Sequence, residues 1–487
     1  MEEKENVRLI TDEEQEELDE LDLEERIQEQ QDRLIERALS LLDNKQYAAL
    51  RELLSEAEPA DISEFFDELT EKQTLVIYRL LPKELAAEVF IELDPDQQEY
   101  LIRVLSESEL KETLDELYYD DTADVIEEMP ASVVKRILAA ASPEQRRVIN
   151  ELLKYPEDSA GSIMTTEFVR LKKDFTVMES LEFIRKVGID KETIYTCYVT
   201  DPQNHLIGIV TAKELLISPL DKKIEDIMTE NVIYVKTLDD QEQIAFMFSR
   251  YDFLALPVVD NEDRLVGIIT VDDAIDVLQE ETEEDFAKMA AITPNDTEYL
   301  KTPVIKVWAS RIPWLLLLMV SATFTGLIIS SFENALAAVP ILTAFIPMLM
   351  DTGGNSGSQA SVTVIRGISL GQVEFKDFFK VVWKEIRVSV LCGVTLGAAA
   401  LIKVMLVDHL LMKNDDVDWN VAIVVSLTLL ATIICAKFIG CSLPLLAKKI
   451  GFDPAVMASP FITTIVDAVS LLVYFAVAKQ FIPQMMS

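Results

Sequence analysis

Three rhythms of apolar and polar positions run along this 487-residue chain. Between residues 41 and 155, leucines recur at helical intervals, as in LLPKELAAEVFIELDPDQQEYLIRVLSESELKETLDEL, with Asp-Pro and Ser breaks between them. Short helices of this kind bury their apolar faces only by stacking, so a superhelix of helical hairpins is expected. From about residue 160 to 280 the period shortens: ALPVVD, the turn NEDR and LVGIIT read as strand, turn and strand leading into a helix. The unit occurs twice. IMTTEFVRLKKDFTVMESLEFI from Ile163 returns as IMTENVIYVKTLDDQEQIAFMF from Ile227, and HLIGIVTAKELL returns as RLVGIITVDDAI. Beyond residue 311 apolar positions become nearly continuous, in five segments at about 312–332, 338–365, 388–407, 420–442 and 455–478. Each is long enough to cross a bilayer as a helix, which takes roughly 20 residues.

Charge sharpens this division. Residues 1–300 hold 30 Lys and Arg against 74 Asp and Glu, whereas residues 301–487 hold 14 against 11. So acidic a surface repels nucleic acid and anionic lipid and gathers cations, although a solvated surface is the simpler account of any acidic run. Four Cys and two His show no zinc or disulfide spacing. The opening MEEKENVRLI lacks an apolar core, so no cleavable signal peptide is expected. Lys301, Lys306 and Arg311 precede the first span; Arg366, Lys376, Lys380, Lys384 and Arg387 lie between the second and third; Lys448 and Lys449 lie between the fourth and fifth. The preference of basic loops for the cytoplasm puts the N-terminus inside and, after five crossings, the C-terminus outside.

One residue interrupts the last span. Asp467 lies inside PFITTIVDAVSLLVYFAVA, where an ionised side chain is costly unless it meets a partner or water. Ser459, Thr463 and Asp467 stand four residues apart and form one polar line. Pro460 is expected to displace the helical bond to the Val456 carbonyl and free that oxygen. In the second span, DTGGNSGSQAS sets Gly353 and Gly357 at small-xxx-small spacing, with Gly354 and Asn355 between them. Close helix packing and a wet, backbone-lined path beside Asp467 are both compatible with it. A structural ion pair of Asp467 with Lys403 or Lys437 competes with an ion route; both lysines stand nearer their span ends, from which they can snorkel.

The first half has acidic clusters of its own. YYDDTADVIEEM puts Asp120 and Asp124 one turn apart with Asp121 beside them, which suits either a helix cap or a bound cation. In TVDDAIDVLQEETEEDFAKM, Asp273, Asp276, Glu280 and Glu284 make a carboxylate stripe flanked by Glu281 and Asp285, with almost no base to pair with it. A solvated helix and a weak sensor for a hard divalent cation fit that stripe equally well.

The tandem α/β unit resembles paired cystathionine-β-synthase (CBS) domains. That resemblance implies a candidate adenine-nucleotide contact, such as ATP, at Thr270 and Asp273. The whole order of features resembles the MgtE family of magnesium transporters: acidic helical superhelix, YPEDSAGSIMT, two CBS repeats, acidic connecting helix, GGNSGSQAS…RG and DPAVMASPFITTIVDAVSLLVYF. The implied fold is a multidomain α-helical membrane protein with an acidic segment at 1–40, a helical N domain at 41–155 and CBS domains at 160–225 and 226–280. A connecting plug helix follows at 281–305, then a transmembrane domain of five helices at 306–487.

The resemblance implies a transporter and no enzyme, in the cell (plasma or inner) membrane: a homodimer in lipid, with no nucleic-acid partner. Its pore would be lined by Asp467, Thr463, Ser459, Gly353, Gly354 and Asn355. Mg2+ would be both substrate and regulator, closing the pore through Asp120, Asp124, Asp240, Glu242, Asp252, Asp273, Asp276, Glu281, Glu284 and Asp285. A broader divalent cation (Co2+, Mn2+) transporter, a carrier coupled to protons or sodium and a nucleotide-sensing CBS scaffold are the alternatives.

Overall fold

The structure, a computed structural model, describes residues 23–295, 299–457 and 459–482. It forms two compact units that meet in sequence between Val277 and Leu278, inside one helix rather than at the change of composition.

In the first unit, ten helices run from α1 (Leu23–Asp43) to α10 (Pro143–Leu152). Odd-numbered helices pack on odd-numbered ones and even mostly on even, which is the stacked-hairpin arrangement the leucine spacing predicts. Polar cross-links record the repeat: Gln97 reaches Asp67, Arg79 reaches Glu109 and Gln145 reaches Asp115, each across 30 residues. Thr70 with Gln73, Ser106 with Glu109 and Ser142 with Gln145 form capping boxes that satisfy the first N–H groups of their helices. Phe65, Phe66, Phe90, Ile77 and Leu101 are fully buried between the layers.

The tandem repeat folds as two copies of a three-stranded sheet. β1 (Phe168–Lys172) pairs parallel with β2 (Thr193–Thr200), which pairs antiparallel with β3 (Leu206–Thr211). β4 (Val235–Lys236), β5 (Ala255–Val259) and β6 (Leu265–Thr270) repeat that order. A helix follows the first strand of each copy, α11 (Val177–Val187) and α13 (Gln241–Tyr251). The last strand of each ends on a threonine that caps the next helix. Thr211 caps α12 (Ala212–Ile217) with Glu214, and Thr270 caps α14 (Val271–Met289) with Asp273.

The second unit contains α15 (Val304–Ser331), α16 (Glu333–Ala338), α17 (Ile346–Ser369), α18 (Phe378–Lys403), α19 (Trp419–Lys449) and α20 (Ser459–Phe481). Among the described residues, four helical stretches, Val304–Ser331, Phe375–Leu411, Trp419–Lys449 and Ala455–Phe481, are long and apolar enough to cross a membrane. The expected second span, α17, is long enough at 24 residues but falls short on apolarity. It also starts at Ile346 rather than 338, because residues 340–345 form a tight 3-10 turn between Pro340 and Pro347.

Packing explains how α17 tolerates its polarity. It lies against α19 and α20, and its small residues make the contact. A Cβ on Gly353 would come within 2.7 Å of the Thr432 methyl and 2.8 Å of the Ser470 hydroxyl; one on Gly357 would meet Ile462 at 3.0 Å. A larger side chain at Gly353 would force its neighbours to shift, and one at Gly357 would require Ile462 to give way.

Candidate functional site

Asp467 lies on α20, partly buried. The two competing lysines are engaged elsewhere: Lys403 Nζ lies 2.9 Å from Asp408, and Lys437 Nζ lies 3.8 Å from Glu385. Lys437 is only 5% exposed, so it does not snorkel as its position in the sequence suggested; it turns inward to a carboxylate on α18. Among the described residues no base pairs with Asp467. Its charged neighbour is another acid, Asp351 on α17, close enough for the two to repel.

Asp351 begins an exposed polar stripe that continues through Asn355, Gln359, Thr363 and Arg366. Asn355 Nδ2 donates to Asp351 Oδ1 at 3.2 Å. Gly353 and Gly354 lie on the opposite, buried side, Gly354 against Thr463. Pro460 corrects an expectation: it stands at the second position of α20, where no helical bond is available to displace. Its carbonyl accepts from the Thr463 and Thr464 hydroxyls at 2.9 and 3.0 Å. Ser459 opens α20, but its side chain lies outside the described residues.

The first unit holds a second group of acids. Asp120, Asp121 and Asp124 stand on α8 (Tyr119–Glu128), within Coulombic reach of Asp273 on α14. Glu192, just before β2, joins them. Burial is the main cause of their raised pKa values and mutual repulsion adds to it: Asp121 is lifted to about 6, Asp124 and Glu192 to about 8, and Asp120 well above its usual range. Buried Asp120 Oδ1 and Glu192 Oε2 lack hydrogen-bond partners. Asp276 adds to the group through Glu92 on α5 (Lys83–Glu92). Orphaned carboxylate oxygens among like charges fit a cation that brings its own hydration shell. No three His, Cys, Asp or Glu among the described residues are gathered closely enough to hold a bare ion.

The other expected sensor residues divide by role. Asp240 caps α13, accepting from Gln243 N at 3.3 Å, and Asp252 ends that helix in a left-handed conformation with φ of 54°. Glu242 lies in the first turn between them. Glu281 stands midway along α14. Near the end of α14 the expectation of few bases is corrected: Lys288 lies 2.5 Å from Glu284 and 2.7 Å from Asp453, while Asp285 accepts from Ser369 Oγ at 3.1 Å. Thr270 and Asp273 bond each other, Oγ1 to Oδ2 at 2.5 Å, so a nucleotide phosphate there would face Asp273 and the acids around it.

Sequence reasoning missed Asp351, Glu192, Glu92 and Asp453. For Asp351 a signal was present, since it stands four residues before Asn355 on one helical face. The others meet their neighbours only through tertiary folding.

Together these elements define a membrane protein with a polar-lined helix pair and an acidic CBS-bearing unit. A divalent cation transporter family matches residues 346–477, the MgtE intracellular N domain matches 57–158, and the CBS domain matches 160–220 and 224–280. The magnesium transporter MgtE of Thermus thermophilus is 36% identical over 435 residues, 88% of this chain and 94% of that protein. Its namesake in Bacillus subtilis is 32% identical, over 93% of this chain and 98% of that protein. A solved structure, the cytosolic domain of the Mg2+ channel MgtE in complex with ATP, is 40% identical with a TM-score of 0.47, covering 50% of this chain and 100% of its own. The chain belongs to the MgtE family.

Proposed function

We propose that this chain carries Mg2+ across the cell membrane through a route lined by Asp467 and the polar face of α17, with its N-terminus in the cytoplasm and its C-terminus outside. The single observation that carries the reading is Asp467, a membrane-embedded acid with another acid, Asp351, and, among the described residues, no base for company. Two carboxylates without a counter-charge hold their ionised state in a low-dielectric setting only when water and a cation reach them. The magnesium transporters at 36% and 32% identity support Mg2+ as that cation.

A second copy of the chain completes the route. One copy leaves Asp351, Asn355, Gln359 and Arg366 on an open face, which lipid cannot solvate. Two such faces across an axis enclose a polar passage, with Thr463 on the line of Asp467. Mg2+ dehydrates reluctantly, so a passage lined by carboxylate, amide and hydroxyl oxygens suits the hydrated ion.

The acidic cytoplasmic unit regulates the passage. Mg2+ among Asp120, Asp121, Asp124, Glu192 and Asp273 neutralises a cluster that otherwise repels itself, so the ion favours whichever conformation brings those acids together. That conformation is the closed one. Asp276 and Glu281 extend that response along α14, whereas Glu284 and Asp285, held by Lys288 and Ser369, join it only when those contacts open.

Mg2+ influx into liposomes tests the proposal. Wild type conducts and Asp467→Asn does not; an Asp467→Asn protein that conducts like wild type would refute the route.

A further inference from the structure

Beside the polar stripe lies a cavity of about 810 Å3 whose walls come from α17, α18 and α19. Asn355, Gln359 and Thr363 supply amide and hydroxyl oxygens, and Glu385 and Lys437 stand within it. Both charged residues are at least nine-tenths buried, at 9% and 5% exposure. Their separation of 3.8 Å is too long for a hydrogen bond, so this is charge balance without a closed contact. Lys437 is also deep in its helix: twelve residues, roughly 18 Å of α-helix, separate it from the end of α19.

Without the ammonium group, the remaining chemistry is that of a hard-cation site. One carboxylate, two amide oxygens and hydroxyls match the ligands that divalent cations prefer. A transporter is harmed by such a site on its path, because conduction requires that each stop be weak enough to leave. We propose that Lys437 is a tethered counter-ion: its ammonium holds the place a divalent cation would take at Glu385, and so keeps this side cavity from trapping the ion that the chain moves. The inference rests on the reading that Asn355 and Gln359 face the ion route.

The test uses the full chain in lipid nanodiscs for Mn2+ binding, counted by electron paramagnetic resonance, and in liposomes for Mg2+ flux. Lys437→Met is expected to bind one more Mn2+ per subunit than wild type and to lose about tenfold in flux, because an ion held too tightly to leave slows a multi-site path. Adding Glu385→Gln to that variant abolishes the extra ion and restores flux. A wild-type Mn2+ count in Lys437→Met, or an extra ion that survives Glu385→Gln, overturns the proposal. Should Lys437→Met fail to fold, Glu385→Gln alone decides: it leaves a bare ammonium beside the path and lowers Mg2+ flux severalfold, and unchanged flux refutes the idea. A conducting Asp467→Asn would overturn the route itself, a result separable from the Mn2+ count.

Discussion

The two ends of α14 treat the same carboxylate chemistry in opposite ways. At its start, Asp273 lies among Asp120, Asp121 and Glu192, burial and repulsion lift all of their pKa values, and among the described residues no base pairs with the group. Near its finish, Glu284 and Asp453 share Lys288, and Asp285 has a hydroxyl donor. One end is closed by its own side chains. The other is left to a proton or a cation, and acid content alone would never have separated them. What separates them is one lysine and the depth of burial, since an unpaired charge taken out of water must find compensation or become neutral.

Removing acids from the open end should have the largest effect. With Asp120→Asn and Asp124→Asn together, the first unit no longer needs Mg2+, so hydrogen exchange in α8 becomes independent of Mg2+, whereas wild type is protected at least about tenfold by a saturating ion. An equally strong Mg2+ response in the double variant would erase the contrast between the ends.

pH should reproduce the effect more gently. Carboxyls with raised pKa values bind protons in the folded chain that the unfolded chain has already released. Their stabilising contribution is therefore complete at low pH and is lost as pH rises through about 6 for Asp121 and about 8 for Asp124 and Glu192. Without Mg2+, the protection of α8, taken as its exchange relative to the intrinsic rate at each pH, should be lower at pH 8.5 than at pH 6, and added Mg2+ should restore it chiefly at the higher pH. A flat profile would mean that the cluster stays solvated.

Opening the closed end is the converse experiment. Lys288→Met leaves Glu284 and Asp453 without their base and should destabilise the second unit by about 1 kcal/mol at neutral pH, a loss that Mg2+ recovers in thermal melts. Loss without Mg2+ rescue would show that the lysine matters for packing alone. The smallest change concerns the twin caps. Thr211→Ala removes a half-buried cap that lies outside the acid cluster and should cost about 1 kcal/mol whatever the Mg2+ concentration, while Thr270→Ala releases Asp273 into the open cluster and should respond to Mg2+. Identical Mg2+ dependence of the two melts would place Asp273 outside the cluster.

Much of this was legible in the sequence, for identifiable reasons. Leucine spacing and capping residues are local signals, so the helical stack and the repeated α/β unit could be read directly, and Asp467 stood out against its apolar surroundings. The second span was read too long because an apolar run hides the turn that Pro340 and Pro347 impose. Pro460 was misplaced because the helix start is set by the loop before it. Asp240 and Asp252, expected as sensor acids, also cap the two ends of α13, a structural role visible only once that helix has its boundaries. Glu192 and Asp453 carry no local signal; only the fold brings them to their partners.

The central claim is that Mg2+ supplies the charge missing from the unpaired acids, in the membrane and in the cytoplasmic unit alike. Mg2+ flux into liposomes of wild type, Asp467→Asn and the Asp120→Asn, Asp124→Asn pair, at low and high Mg2+ on the cytoplasmic face, tests it most directly. The account predicts that wild type conducts at low Mg2+ and stops at high, that Asp467→Asn never conducts, and that the double variant conducts at both. A conducting Asp467→Asn, or a double variant that closes as wild type does, would contradict it.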